Sequence, residues 1–551
     1  MPSVRFALAP ALLRSFAVGS ALIAGAVLPG AVASADQATT VVGQLVQAWP
    51  EAGTGAREAD GPISWVQNAE GDAVRIPTED VEGIPAGTTL QVTVSPEGDG
   101  NAEDPLFDVH EAQVVAATAA DPVLRDPSGL TNHVTVVRVT PGGVAPDGVT
   151  VQQLVDVVDG PVADFWSEQS DGAISVGVGT TVRDWVSPAA GCADPTAMWN
   201  EVAADVGFVP GPGQHLMLYV SKAAVNCSYA LAEVGSSPTT GGRMYVRDTL
   251  SSVIAHELGH NFGLGHSSAR QCDSAVESAS CRTAAYHDYY DVMGVSWAQL
   301  GSLNAAQAAR LGVLPAAEQQ SLSVQDGPVG VTLAPVSGRT GTRALRLTDA
   351  DGVDYWLEYR TATGRDAWLG TAANRYRLQT GVLLRRADAL PDTSVLLDGT
   401  PAAAAAWDAD LQSALPAGTA IPVSGGDFTV VVESVTDAGA VLTVTPTAQA
   451  TGASPAVGDS PAAAAPRAPR GGVMSGTGTA APEAAAPRAG SSPVAGARAY
   501  AGAPIPATPV LESVSDTSTS VGFLAAAAVA LLAAASTLVA RRLRLSALRA
   551  R

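Results

Sequence analysis

The run Asp248–His266, DTLSSVIAHELGHNFGLGH, holds the residues best suited to chemistry. Leu250, Val253, Ile254 and Leu258 recur at helical spacing, and Asp248 or Thr249 stands where a side-chain oxygen caps a helix. On such a helix His256 and His260, four residues apart, project from one side and can share a metal ion. Glu257 cannot easily become a third ligand from the same turn, but its carboxylate can accept a proton from a metal-bound water. A catalytic zinc needs three protein ligands and one open position. His266 would lie too far around a straight helix to serve. Gly263 solves this by adopting the left-handed conformation that ends a helix, which returns His266 beneath the other two. The arrangement is H-E-x-x-H-x-x-G-x-x-H.

The remaining histidines, His110, His133, His215 and His287, have no such spacing and read as surface or core residues. Glu277 sits in VESAS between two cysteines, without the helical context a further ligand requires. Around the motif the pattern is α/β: strands over Val134–Val139, Ala173–Val178 and His215–Val220 alternate with helices over Val151–Gln169 and Pro195–Val206. Before it, residues 36–128 alternate short β-like runs (Thr40–Val46, Leu90–Val94, Gln113–Ala117) with Gly, Pro and Asp turns. After it, residues 315–447 return to β-like runs, including Val329–Leu333, Ala344–Leu347, Tyr355–Tyr359, Gly381–Leu384 and Phe428–Val432, which predicts a β-sandwich-like domain. The catalytic segment is then 129–314.

The two ends place the chain relative to a membrane. Arg5 and Arg14 precede an apolar stretch, Phe16–Leu28, and Ala33, Ser34 and Ala35 form a small-residue cleavage site, so residues 1–35 read as a secretory signal peptide. Residues 520–540 carry no charge and are long enough for a transmembrane helix, and the tail 541–551 begins with Arg541, Arg542 and Arg544, which face the cytoplasm. Between them, 448–519 is rich in Ala, Pro, Gly, Ser and Thr and reads as a disordered stalk. The four cysteines, Cys192, Cys227, Cys272 and Cys281, then face an oxidising compartment, where two disulfides can form in three pairings. Cys272 with Cys281 would close a short loop and leave Cys192 with Cys227. A net charge of −22 lacks the basic face that a phosphate backbone demands, so no nucleic-acid partner is expected.

HELGHNFGLGH resembles the zinc signature of the metzincins, and Tyr289-Tyr290-Asp291-Val292-Met293-Gly294 resembles their Met-turn. The D-V-M-G ending is most similar to the gametolysin-like peptidases and their bacterial relatives. The resemblance covers roughly residues 130–312. It implies a two-lobed catalytic domain with one catalytic zinc on His256, His260 and His266, Glu257 as general base and Met293 as a hydrophobic floor beneath the metal. It also places Gly241–Val246 as the edge strand along which an extended peptide lies. The chain departs from the pattern in two ways: Val295 stands where some metzincins have a ligating Tyr, and no cysteine precedes Cys192 to act as an inhibitory ligand. Any latency conferred by 36–128 would then come from steric cover, from a carboxylate such as Asp104 or Asp108, or from His110. The expected activity is that of an exported, membrane-tethered zinc endopeptidase with protein or peptide substrates. A zinc amidase acting on cell-wall peptides and a non-catalytic surface adhesin with a vestigial metal site are the rival readings.

Overall fold

Runs of β-branched residues broken by Gly, Pro and Asp turns fill both flanks of the chain, and they pair there into sheets. In the computed structural model, residues 38–52, 61–96, 105–117, 129–295 and 299–447 are described. The architecture is mixed α/β, rich in strands and poor in helices.

Ten strands form the first sheet: β1 (Thr39–Glu51), β2 (Ile63–Gln67), β3 (Ala73–Ile76), β4 (Thr89–Pro96), β5 (Phe107–Ala116), β6 (Asn132–Val139), β7 (Val176–Val186), β8 (Gln214–Val220), β9 (Ala230–Glu233) and β10 (Gly242–Val246). Their order is β3-β2-β1-β9-β10-β8-β6-β7, with β4 pairing β1 and β5. Strands β7, β6, β8 and β10 run parallel, each pair joined through a crossover, whereas β9 is antiparallel to β10. β1 is long enough to belong to two neighbourhoods. Thr39–Gln44 pairs with β4, and Ala48–Glu51 pairs antiparallel with β9. Leu45, Val66, Ile76, Leu90, Val92 and Val94 form a small core private to the amino-terminal strands.

The helices pack on this sheet. Thr150 caps α1 (Val151–Val157) in a reciprocal box with Gln153. The single helix predicted over Val151–Gln169 is interrupted by a wide turn at 158–162, where Gly160 leaves helical geometry and Pro161 has no N–H to donate, before α2 (Ala163–Gln169) resumes. Asp194 caps α3 (Pro195–Val206), which ends at Gly207 in the left-handed region. The motif helix, α4 (Ser251–Asn261), is buried over Ser252–Asn261, and Val253, Ile254 and Leu258 join Phe165, Trp166 and Met293 in the main core. Neither Asp248 nor Thr249 caps it, because the N-cap position falls on Leu250, which has no side-chain acceptor; the Asp248 carboxylate instead accepts from Thr249 N and faces Lys222. Asn304 caps α5 (Ala305–Arg310).

The second sheet takes strands from both sides of residue 314. β11 (Ser267–Cys272) and β12 (Cys281–Ala284) form its edge hairpin. They are followed in the chain by β13 (Gln319–Ser323), β14 (Val329–Leu333), β15 (Ala344–Thr348), β16 (Asp354–Arg360), β17 (Gly381–Ala387), β18 (Ser394–Leu397), β19 (Ala420–Val423), β20 (Phe428–Thr436) and β21 (Gly439–Pro446). The order is β12-β11-β18-β17-β16-β15-β13, and a separate antiparallel sheet runs β14-β21-β20-β19. Leu345, Leu357 and Leu384 of one sheet and Leu333, Val430 and Leu442 of the other share one core, so the two pack face to face. Cys192 is bonded to Cys227 and Cys272 to Cys281; the second bridge closes the β11–β12 hairpin. Among the described residues no helix is long and apolar enough to cross a membrane. The segments read as signal peptide (1–35), stalk (448–519), transmembrane helix (520–540) and tail (541–551) lie outside the described residues.

Candidate metal centre

Four buried side chains, Glu51, His256, His260 and His266, point donor atoms at one spot and can hold a metal ion. Helical spacing sets His256 Nε2 3.1 Å from His260 Nε2. α4 ends where Gly263, at φ 95°, turns the chain left-handed, and a Cβ there would crowd the backbone of Gly235 and Ser236 at 3.1 Å. That turn carries His266 back to the same spot. Three outside contacts then fix it: His266 N donates to Pro391 O at 2.8 Å, Ser394 N donates to His266 O at 3.3 Å, and Gly265 N donates to Thr393 Oγ1 at 2.9 Å. Arg310 Nε and Gln307 Nε2 of α5 hold the carbonyls of Gly263 and Gly265 at 2.9 and 3.1 Å.

The partners behind the imidazoles decide which nitrogen faces inward. His256 Nδ1 lies 2.8 Å from Val292 O, and His260 Nδ1 lies 2.8 Å from Leu264 O. A carbonyl only accepts, so each Nδ1 bears the hydrogen and each Nε2 offers a lone pair to the metal position. The His266 ring meets Trp49 edge-on, at 4.4 Å, and Tyr286 in a tilted stack, at 3.8 Å between centroids.

The turn 288–294 forms the floor. Asp291 Oδ1 accepts from Met293 N at 2.9 Å and Ser267 Oγ at 2.8 Å, and its Oδ2 accepts from Asn304 N at 2.7 Å. Val292 supplies the carbonyl for His256. Met293 is fully buried, and a Cβ on Gly259 would meet its Sδ at 2.4 Å, so the sulfur lies directly against α4 between His256 and His260. Gly294 has no room for a side chain, since a Cβ would lie 2.0 Å from Asp288 O. Below this turn sits a buried charge cluster: Arg385 pairs with Asp288 and Glu358, and Arg360 with Glu358 and Asp366. Burial would raise the Glu358 carboxyl, but Arg360 and Arg385 hold it down to about 2. The second sheet thus braces the floor of the site.

Glu257 is fully buried, and both its oxygens lack a hydrogen-bond partner. Burial, with the charge of Glu51 adding to it, pushes its carboxyl well above the usual range. Glu51 is the residue that sequence reasoning missed. Its Oε1 lies 3.4 Å from the Nε2 atoms of His256 and His260 and 3.2 Å from that of His266. Burial would raise this carboxyl too, yet His256 and the hydrogen bonds of the three imidazoles hold it well below its ordinary value. The carboxylate found at the site is therefore not Asp108, which is exposed on β5, as is His110; Asp104 lies outside the described residues. Trp49, Tyr286 and Asn261 were also missed. Asn261 locks the end of α4 to the sheet, donating to Glu233 O at 2.8 Å.

The strand expected at the edge, 241–246, is β10, and it lies inside the sheet between β8 and β9. Tyr245 is buried against Trp199 on the far face, so it does not line the metal cleft. The strand next to β10 is β9, and β1 covers it. The other histidines stay apart from the metal cluster; His215 is buried between Asn132 and Asn261, and burial lowers its pKa to about 4. Glu277 bonds Tyr355 and Ser424 N in the carboxy-terminal sheets. No family model matches the chain, and no curated protein is significantly similar to it.

Proposed function

We propose that the chain is a zinc-dependent endopeptidase of the metzincin type, exported and held at the cell surface. The observation that carries this reading is Glu257: a buried carboxylate with two unpartnered oxygens, one residue from a metal-facing imidazole. An orphaned buried carboxylate is costly, and it is explained when a polarised water and a substrate supply its partners. The donor set fits zinc. Zinc binds imidazole nitrogen at ~2.0–2.1 Å in a tetrahedron, whose edges are then ~3.3 Å; the donor separations of 3.1, 3.2 and 3.4 Å match. Two of the three imidazoles already have the tautomer and orientation that ligation needs.

Zinc bound there would polarise the scissile carbonyl and acidify the attacking water. Glu257 takes the proton from that water and later delivers it to the leaving amine. His256, His260 and His266 hold the charge in place, and Met293 and Trp166 keep the underside of α4 dry. The signal peptide and the uncharged segment 520–540 support placement outside the membrane with a carboxy-terminal anchor. The test is cleavage of a peptide library by the full chain, intact and after limited proteolysis, with and without chelator. Hydrolysis that survives chelation, or that survives Glu257→Ala, refutes the reading.

A further inference from the structure

The fourth donor needs its own account. A catalytic zinc keeps one coordination position open, yet here a carboxylate joins the three imidazoles in a single group of four donors. The carboxylate comes from Glu51, 209 and 215 residues away in sequence from two of its partners. It arrives on a strand, and the strand is as informative as the ligand. β9 would be the open edge of the parallel-stranded region, with unpaired backbone groups beside the metal. Ala48–Glu51 covers that edge in antiparallel register, from Ala48 opposite Glu233 to Glu51 opposite Ala230. The ladder is extended by Val234 N donating to Gln47 O at 2.7 Å and Tyr229 N donating to Glu51 O at 2.8 Å. Alternation along the strand sends Trp49 and Glu51 to the same face, the ring onto His266 and the carboxylate onto the metal position.

We infer that Gln47–Glu51 is a substrate mimic built into the chain: it occupies the groove along β9 that an extended peptide uses, and Glu51 closes the metal's open position. The protein as folded is a latent precursor, and its substrates are extended peptides that pair main chain to main chain with β9. The identity of the substrate rests on the peptidase reading; the role of Glu51 as fourth ligand does not. The amino-terminal strands carry a small core of their own, Leu45, Val66, Ile76 and Leu90 among it, while Ala48 and Trp65 pack with Trp199 and Tyr245 and so seat these strands on the catalytic sheet. A second contact registers them on the catalytic sheet: Arg243 donates to Gln67 Oε1 at 3.1 Å, and Asn200 donates to Gly71 O at 2.8 Å.

The experiment uses the zinc-loaded full chain as wild type, Glu51→Ala and Glu51→Gln, the last keeping side-chain size in case the first does not fold. A peptidyl hydroxamate is the probe, because it needs both a free metal position and a free strand edge. Zinc content, hydroxamate affinity and hydrogen exchange of residues 47–51 are read together. A tethered ligand competes at high effective concentration, so either substitution should tighten hydroxamate binding by about 100-fold or more. Exchange at 47–51 should rise when the probe binds. Equal affinity in all three proteins, or a bound probe that leaves 47–51 protected, overturns the inference. Variants that bind the hydroxamate as expected but cleave no peptide support the role of Glu51 and overturn the peptidase reading.

Discussion

Asp291 is where the floor of the metal site can be weakened by a measured amount. Its buried carboxylate accepts from Met293 N, Ser267 Oγ and Asn304 N. Asp291→Ala leaves three buried donors without a partner, at about 1–3 kcal/mol each, which relaxation and entering water reduce to a total of about 3–6 kcal/mol. Against a typical stability of about 5–15 kcal/mol this is a large fraction. Asp291→Asn is a finer cut. Its oxygen can still accept from Met293 N and Ser267 Oγ, but its amide then points a donor at Asn304 N–H, so about 1–3 kcal/mol is lost. The same turn presents Val292 O to His256 Nδ1, and outer partners of metal-bound histidines are worth about 10–100-fold in affinity. Chemical denaturation of the metal-free proteins measures the first effect without ligand linkage, and chelator competition measures the second. The expected order in both is wild type, then Asn, then Ala. Wild-type stability and wild-type metal affinity in Asp291→Ala would refute the reasoning.

Three further outcomes are expected. Glu257→Ala should retain one metal per chain while losing hydrolysis, read by elemental analysis beside peptide cleavage; loss of the metal with the activity would make Glu257 a structural residue instead. Gly259→Ala should cost about 1–3 kcal/mol by overpacking, since its Cβ would meet Met293 Sδ at 2.4 Å, and the cost should shrink when Met293 is replaced by Ala. Burial raises the Asp398 carboxyl from 3.8 to about 6. A carboxyl raised on folding contributes stability that is complete below its unfolded pKa and lost as pH rises through the folded value. Asp398→Asn should therefore raise the melting temperature at pH 7.5 and leave it unchanged at pH 3.5; a pH-independent effect would count against this account.

What the sequence disclosed follows the reach of each interaction. The set His256, Glu257, His260, Gly263 and His266 is legible because a helix and one tight turn bring these residues together, and both are encoded within eleven positions. α3 could be read to its ends because Asp194, Pro195 and Gly207 punctuate it locally. Glu51 was illegible for the opposite reason. It is one of 53 acidic residues, in no motif, and only the pairing of β1 with β9 delivers it. An acidic cluster around Asp108 drew attention instead, although its side chain faces solvent. The edge strand was misplaced because adjacency to α4 in sequence says nothing about sheet order, which non-local register decides. β11 falls inside the segment 129–314, and its parallel pairing with β18 is another contact that only non-local register decides.

That last pairing bears on how the protein comes into being. Ribosomes add residues from the amino terminus onward, so Glu51 and all three histidines are made long before Pro391, Thr393 and Ser394. Those late residues are the ones that seat Gly265 and His266, and β18 is the strand on which β11 is laid. A nascent chain that stops at residue 314 therefore has every donor atom but lacks the Pro391, Thr393 and Ser394 contacts to Gly265 and His266. Assembly of the ligand set waits on Pro391, Thr393 and Ser394, whereas its cover, β1, emerges before any of the three histidines. Synthesis itself thus places the guard ahead of the site that it guards.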